Sequence, residues 1–265
     1  MKKNDKLVTA LLLAGARPAH AERGLGRGNV PKPLIEIGGR SMLRRVVDAL
    51  LQAPSIGATR IISQRADEMV EKAGLGALDV EAKVSGNSVS AAVRAELDGC
   101  WPYLVTTADH ALLTPALLET FLAAARASNA DVCFAVVERT TLMARFPESK
   151  RTWLKFRGGA YSGANLFFLA HPSAAAAVDL WQSVEQDRKA SRAIVAAFGP
   201  LLLLGVVMRL LSLQQALRFA GRRLGCTVEA VILDEAEAAI DVDTESDLLQ
   251  VTSILKQREE PSVRD

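Results

Sequence analysis

The sequence has few of the residues that build disulfide frameworks, zinc sites and nucleic-acid interfaces. Among 265 residues there are three cysteines and three histidines. Cys100, Cys133 and Cys226 are odd in number and far apart, so neither a disulfide framework nor a zinc site is predicted. Aromatic residues make up 5% of the chain and the formal net charge is only +2. Nucleic-acid binding through basic patches and stacking rings is therefore not expected.

Long apolar runs and internal repeats are missing as well. The apolar run that starts at Phe198 extends for about 11 residues, and crossing a bilayer takes roughly 20. Scarce cysteine favours a reducing compartment, so we expect a cytoplasmic protein. What is present is an ordinary globular composition, 49% hydrophobic and 23% charged. At this length we expect one domain over residues 1–265 with a substantial core.

The most informative stretch lies between the first predicted strand and the first predicted helix, at residues 11–43. An apolar run over 7–13 predicts a buried strand that stops at Ala14-Gly15, where small residues let the backbone pass close to a ligand. The loop that follows is about 18 residues long, and such loops are usually functional or disordered. Residues 17–45 carry seven basic side chains against two acidic ones. This pattern favours a polyphosphate site, with a solvated surface loop as the alternative.

Hydrophobic patterning predicts alternating strands and helices along the chain. Strands are expected at 7–13, 59–63, 80–84, 103–107, 131–137, 151–156, 161–169 and 227–233, and helices at 42–53, 89–97, 172–189 and after Thr114 and Thr244. Residues 138–150 are polar and are expected to be irregular, whereas Arg157-Gly158-Gly159 predicts a hairpin turn. The order is typical of a three-layer α/β protein with a doubly wound, mostly parallel sheet, which binds ligands at the carboxyl ends of its strands.

Asp109 is the first acidic residue expected at that ligand edge. It follows the predicted strand 103–107 and precedes a helix that Thr114 caps, with Pro115 at its first position. A carboxylate between a strand end and a helix start can hold Mg²⁺ beside a triphosphate. The adjacent His110 is given no role.

Two further carboxylates, Asp241 and Asp243, alternate along a segment near the end of the chain. Thr244 and Asp247 have capping-box spacing, which predicts that Thr244 starts the last helix. Asp243 would then be free to face a cation; the alternative is that Asp243 is itself the cap.

These motifs together resemble a known family. Ala14-Gly15 after an apolar strand, the Pro31-Lys32 element, the Gly-Gly-Arg-Ser-Met-Leu that opens a helix, and the Asp-x-Asp-Thr near the end are similar to the MobA-like NTP transferases, the molybdenum-cofactor guanylyltransferase type. The resemblance covers about residues 7–137 and 225–255. It implies a nucleotide-diphospho-sugar transferase-like fold. A helical insertion is expected at about 172–224, and it is larger than the family scaffold has.

The resemblance also implies roles for individual residues. Lys32 and Arg17 would act on the triphosphate and Asp109 on its metal. The implied nucleotide-binding set is Leu13, Ala14, Gly15, Ala16, Arg17, Lys32, Gly86, Ser88 and Asp109; the implied acceptor-binding set is Ser162, Gly163, Asn165, Arg151 and Lys155; the implied metal ligands are Asp109, Asp243 and Asp241. For Ser88 the alternative is a plain helix cap, and for the basic side chains it is a solvated hairpin surface.

The expected activity is Mg²⁺-dependent transfer of a nucleoside monophosphate from CTP or GTP to a phosphorylated small acceptor, with release of pyrophosphate. A metal-dependent nucleotide-sugar glycosyltransferase and a non-catalytic, membrane-associated nucleotide-binding module are the alternatives. For the apolar segment 198–217 three roles stay open: a buried or dimer-forming helix pair, a lid over the acceptor, or a peripheral contact of about 198–223 with an anionic membrane.

Overall fold

A computed structural model describes residues 6–15, 30–186 and 199–259, and the structural statements below concern these residues. Two predicted nucleotide-binding residues, Ala16 and Arg17, lie outside them with the rest of the first loop up to residue 29. Residues 187–198, between the two parts of the predicted helical insertion, also lie outside.

The observed elements follow the predicted alternation. The strands are β1 Val8–Leu13, β2 Glu36–Ile37, β3 Arg40–Ser41, β4 Ile56–Ser63, β5 Glu81–Val84, β6 Tyr103–Thr107, β7 Val132–Glu138, β8 Leu154–Phe156, β9 Gly159–Leu169 and β10 Val228–Leu233. The helices are α1 Met42–Gln52, α2 Ala66–Lys72, α3 Val89–Glu96, α4 Pro115–Ser128, α5 Arg139–Arg145, α6 Ala175–Gln186, α7 Pro200–Val207, α8 Leu213–Leu224 and α9 Glu245–Glu259. Short 3-10 turns occur at Lys32–Leu34, Pro172–Ala174 and Ala236–Ala239.

Eight of the described strands form one mostly parallel sheet, as predicted. Their spatial order is β10-β7-β9-β6-β1-β4-β5, with β8 paired to β9. β9 runs antiparallel to β6, β7 and β8, while the remaining pairs are parallel. β1 lies between β6 and β4, so the strand order reverses there. The carboxyl ends of strands beside such a reversal form the usual ligand crevice, which here is bounded by Leu13 and Thr107.

The central strand β1 is buried on both faces, as its unbroken apolar run predicts. Ala10 and Leu12 pack with α1 and α4 on one face, whereas Leu11 packs with α3 and α6 on the other. All three side chains are fully buried. The protein therefore has three layers, and the sheet holds the ends of β1 and β6 in fixed positions.

The prediction that residues 138–150 are irregular was wrong, because α5 occupies the first half of that range. Its sequence is mostly polar and has no cap hydrogen bond at Glu138. Leu142 is completely buried in the main core cluster. Packing of Leu142, with Met143 beside it, anchors this short helix in the core, and the periodicity of the sequence does not reveal that packing.

We expect His110, which is only 1% exposed, to make the stability of the fold depend on pH. Burial lowers the pKa of its imidazole from 6.5 to about 4, although the charge of Asp109 opposes the shift. Between those values the unfolded chain binds a proton that the folded protein does not bind. The free energy of unfolding should therefore be intact above pH 6.5 and fall by about 3 kcal/mol as the pH drops to 4.

Urea unfolding at several pH values between 7 and 4 measures this slope. A His110→Leu variant removes the titrating group, so its stability should change less over the same interval. An equal slope in both proteins would assign the pH dependence to other groups.

Candidate active site

Three segments that are far apart in sequence meet at the carboxyl ends of β1 and β6. They are the 3-10 turn that begins at Lys32, the loop after β6, and the residues that precede α9. Val242 N donates to the backbone oxygen of Asp109 at 3.1 Å, which joins the third segment to the second. Ala108 N donates to the backbone oxygen of Leu13 at 3.0 Å, which joins the second to β1. Backbone hydrogen bonds thus fix the frame of the site.

The Lys32 ammonium bridges two carboxylates in this frame. Its Nζ donates to Asp109 Oδ2 at 2.6 Å and to Asp243 Oδ1 at 2.7 Å. The side chains of Lys32 and Asp109 are 21% and 20% exposed, and that of Asp243 is 60% exposed. The cluster therefore opens to solvent on the side of Asp243.

The ionisation of this bridge follows from its geometry. Burial alone would lower the pKa of Lys32, but the charges and hydrogen bonds of Asp109 and Asp243 raise it above its ordinary value. Burial would raise the pKa of Asp109, but the charge and hydrogen bond of Lys32 hold it below its usual range. Lys32 and Asp109 are therefore both charged at neutral pH.

Thr107, which sequence reasoning did not select, orients Asp109. Its hydroxyl donates to Asp109 Oδ1 at 2.5 Å, so both carboxylate oxygens have a donor. Thr107 is the last residue of β6 and lies two positions before Asp109. A hydroxyl residue at the end of a strand, two positions before a predicted metal ligand, was the sequence feature that could have identified Thr107.

The third carboxylate, Asp241, is held by two residues that were predicted to bind the acceptor. Asn165 Nδ2 donates to Asp241 Oδ2 at 3.0 Å. Arg151 forms an ion pair with Asp241 Oδ1 and donates to its backbone oxygen at 3.0 Å. Burial raises the pKa of the Asp241 carboxyl, an effect that Arg151 opposes and the nearby charges of Asp109 and Asp243 reinforce.

A bulge in β9 places Asn165 in the site. Val136 pairs with Gly163, and Phe134 pairs with Phe167. Between these two pairs β9 therefore contains two more residues than β7. Asn165 lies between these pairs with a φ of 50°, a left-handed conformation that Asn tolerates better than most residues. Bulges beside functional sites commonly redirect a side chain in this way.

Asp247 links the last helix to the site. Its Oδ2 accepts from the backbone N–H groups of Thr244 at 2.9 Å and Asp243 at 3.2 Å, and its own N–H donates to the Thr244 hydroxyl at 3.3 Å. The predicted start of the helix at Thr244 is thus confirmed, and the Asp243 side chain faces Lys32. The other oxygen, Oδ1, accepts from Arg151 at 3.0 Å.

We expect Arg151→Met to destabilise the fold by about 3 kcal/mol, because the largely buried Asp241 and Asp247 would lose their cation. The Arg151 side chain is only 8% exposed. As a matched control, Arg94 forms a surface ion pair with Asp179 in which the two side chains are 46% and 56% exposed. Arg94→Met should cost at most about 1 kcal/mol. Chemical denaturation measures both, and equal losses would contradict a special role for the buried pair.

The carboxylates are suited to a hard divalent cation. Asp109, Asp241 and Asp243 each offer an oxygen, and these oxygens lie within 4.8 Å of one another. Mg²⁺ prefers carboxylate oxygens in proteins. Each of these carboxylates is already paired with a basic side chain, Asp241 with Arg151 and the other two with Lys32, so a divalent cation would share the carboxylates with those side chains.

The predicted nucleotide contacts fall into two places. Ala14 N donates to the backbone oxygen of Ile62 at 2.9 Å, so Ala14 and Gly15 continue β1 at the ligand edge. Ser88 caps α3, accepting from Ala91 N at 3.2 Å, which confirms the cap. A nucleotide contact for Gly86 and Ser88 stays a prediction.

Glu185, on α6, was also missed, and it covers the start of α3. Its carboxylate accepts from the N–H groups of Val89 and Ser90, both at 2.9 Å, and from the Ser88 hydroxyl at 3.2 Å. The separation of about 95 residues in sequence gave no signal for this contact. A nucleotide that reached Ser88 would meet this carboxylate.

The other predicted acceptor residues are Ser162, Gly163 and Lys155. Ser162 is buried, whereas Gly163 and Lys155 are exposed on β9 and β8. In the part of the chain that the structure describes, neither Ser162 nor Lys155 bonds to a member of the carboxylate cluster. Their binding of an acceptor stays a prediction.

Comparison with known proteins gives consistent matches. Residues 10–202 match the model of the MobA-like NTP transferase domain. A hypothetical transferase structure from Thermus thermophilus is 28% identical, covers 91% of this chain and 99% of its own, and has a TM-score of 0.75. A search of curated proteins found no significant match.

Two more distant structures are similar in fold. CMP:2-keto-3-deoxy-manno-octonic acid synthetase complexed with CTP is 12% identical, with a TM-score of 0.59 over 96% of this chain and 99% of its own. The 4-diphosphocytidyl-2C-methyl-D-erythritol synthase from Anaerococcus prevotii is 13% identical, with a TM-score of 0.57 over 95% and 97%. At these identities the likeness concerns the fold.

Proposed function

The chain belongs to the MobA-like NTP transferase family, and from this premise we propose that it transfers a nucleoside monophosphate from a nucleoside triphosphate to a phosphorylated small acceptor. An oxygen of the acceptor phosphate would form a bond to the α-phosphorus. The bond from the α-phosphorus to the bridging oxygen of the β-phosphate would break, and pyrophosphate would leave with the electron pair. The observation that carries the proposal is the Lys32 ammonium held between Asp109 and Asp243 at 2.6 and 2.7 Å.

The proposed roles follow from charge. An acceptor phosphate is already anionic and needs no general base, so catalysis consists of positioning and charge neutralisation. Lys32, whose pKa is raised, is a permanent cation that can stabilise the charge developing at the α-phosphate. Arg17 is proposed for the triphosphate by family resemblance, together with Leu13, Ala14 and Gly15 at the end of β1.

Mg²⁺ fits this proposal. Asp109 and Asp243 would hold it, with Asp241 beside them. When bound, the ion would neutralise phosphate charge. Thr107 orients Asp109, and the helix cap formed by Thr244 positions Asp243.

The acceptor would approach from β9. Asn165 and Arg151 lie beside Asp241 and hold it with their N–H groups. A phosphate or hydroxyl of the acceptor would share these donors with Asp241. Ser162, Gly163 and Lys155 are proposed for the same side. We favour a phosphorylated polyol or sugar as the acceptor class. CTP is the favoured nucleotide because one structure of similar fold is a CTP complex and another is a diphosphocytidyl synthase; GTP is the alternative.

A two-stage experiment tests the proposal. The four NTPs are first compared for thermal stabilisation of the protein with and without Mg²⁺, since a ligand that binds the folded state raises the melting temperature. The preferred nucleotide is then incubated with a panel of phosphorylated acceptors, and the products are identified.

Pyrophosphate and a nucleotidylated acceptor would support nucleotidyl transfer. Release of a nucleoside diphosphate from a nucleotide sugar would instead indicate a glycosyltransferase. Binding of an NTP without turnover of any acceptor in the panel would favour a non-catalytic module.

A further inference from the structure

Exposed apolar side chains are concentrated at the end of α7. Leu204, Val207, Met208 and Leu210, here called the 204–210 patch, are 57%, 75%, 61% and 62% exposed. The described residues include fifteen exposed large hydrophobic side chains, and four of the fifteen fall within these seven positions. Scattered exposed apolar residues need no explanation, but a contiguous group marks a surface that binds something.

The helix that carries the patch is apolar on every side. α7 reads Pro-Leu-Leu-Leu-Leu-Gly-Val-Val, without a polar residue. Helices of this kind are normally covered all round, whereas Leu204 and Val207 are open. Its eight residues extend about 12 Å. Within the described ranges no helix is long and apolar enough to cross a membrane.

The patch is joined to the sheet by hydrogen bonds and packing on both sides. The N–H of Arg157, in the β8–β9 turn, donates to the backbone oxygen of Leu211 at 2.9 Å. On the other side, α8 begins with a capping box at Ser212 and buries Leu213 against the sheet. Leu154 of β8, which is 51% exposed, lies only three residues after Arg151 of the site. The patch therefore faces solvent on a segment that is joined to the sheet on both sides.

The segment that carries the patch has charges of a single sign. Residues 199–225 contain four arginines and no acidic residue. The arginines are Arg209, Arg218, Arg222 and Arg223, and all four are exposed. No ion pair joins any of them to an acidic side chain within residues 6–15, 30–186 and 199–259.

This charge distinguishes between two possible occupants. A second copy of the chain docked through the same surface would bring two sets of arginines together, which is unfavourable. An anionic bilayer matches both the basic and the apolar side chains, because its headgroups attract the arginines and its acyl region accepts the apolar groups.

We propose that the 204–210 patch and the arginines of α8 dock this protein on the surface of an anionic lipid bilayer. The patch is embedded at the headgroup boundary and the arginines contact the headgroups. The proposal concerns binding alone, so it does not depend on the transfer reaction.

Co-sedimentation of the full chain with vesicles tests the proposal. Vesicles of phosphatidylcholine are compared with vesicles that contain about 30% phosphatidylglycerol, at low and high salt. We expect binding to the anionic vesicles that weakens with salt, because the screening length shrinks from about 10 Å at 0.1 M to 3 Å at 1 M.

Two pairs of variants separate the apolar and the basic contributions. Val207→Ser/Met208→Ser should abolish binding, whereas Leu249→Ser, which changes a 67% exposed residue on α9, should not. Arg218→Gln/Arg222→Gln should weaken binding roughly 30-fold, at about 1 kcal/mol for each arginine. The control Arg65→Gln/Lys72→Gln removes two exposed charges on and beside α2 and should bind as the wild type.

Several outcomes would overturn the proposal. They are no binding to anionic vesicles, equal binding to neutral and anionic vesicles, and unchanged binding of the patch variant. A dimer in sedimentation velocity that Val207→Ser/Met208→Ser dissociates would identify the patch as a contact between copies. Each readout is independent of turnover, so an absent activity would leave the docking result intact.

Discussion

Replacing Lys32 by alanine should lower turnover by about two to three orders of magnitude while the protein stays folded. Removal of one preorganised charge or donor from a transition state typically has an effect of this size. The ammonium is held 2.6 Å from Asp109 and 2.7 Å from Asp243, so its position is set before substrate arrives. Its raised pKa keeps it charged throughout the neutral range.

The fold should tolerate this change. Asp243 is 60% exposed and is solvated without its partner, and Asp109 keeps the hydrogen bond from the Thr107 hydroxyl. The pKa of Asp109 should rise, because the Lys32 charge that opposes the effect of burial is lost. Thermal unfolding and circular dichroism would show whether the folded state persists.

Pyrophosphate release is the readout, with two comparisons. Lys32→Arg retains the charge with a different shape and should retain more activity than Lys32→Ala. Lys72→Ala removes a 58% exposed lysine that pairs with Glu68 on α2, and it should leave turnover unchanged. Near-normal turnover in Lys32→Ala would show that Lys32 does not stabilise the charge that develops at the α-phosphate.

Local patterns were enough to predict much of the frame. The apolar run of β1, the Thr114 cap followed by Pro115, and the reciprocal bonds of Thr244 and Asp247 each depend on residues close in sequence. Because parallel strands end at one edge, the end of β6 indicated where Asp109 would lie, and the family resemblance indicated that Asp243 would join it. Their shared contact with Lys32 agrees with that expectation.

Contacts between distant segments were beyond the sequence pattern. Arg151 reaches Asp241 across 90 residues, and Glu185 reaches Val89 across 96. Neither residue has a periodicity or spacing that names its partner. The bulge that turns Asn165 toward Asp241 depends on how β9 pairs with β7, which the alternation of β9 alone does not reveal.

Asp109→Asn should nearly abolish the Mg²⁺-dependent stabilisation of the protein by NTP. Asparagine has the same shape and can still accept from the Thr107 hydroxyl, so the fold should persist. It lacks the negative charge that a hard cation requires beside a triphosphate. We expect the apparent affinity for Mg²⁺-NTP to fall by at least about 100-fold, larger than the 10- to 100-fold seen when residues behind metal ligands are changed.

The melting temperature with NTP, measured with and without Mg²⁺, gives the result directly, since stabilisation depends on the ratio of ligand concentration to its dissociation constant. Asp48→Asn is the matched control, because Asp48 pairs with Arg44 in α1 away from the carboxylate cluster. Asp243→Asn should give an intermediate loss, as Asp243 is three times as exposed as Asp109, 60% against 20%. If Asp109→Asn kept the full Mg²⁺-dependent rise in melting temperature, the cation would have to bind elsewhere, and the bridge formed by Lys32 would be a structural ion pair.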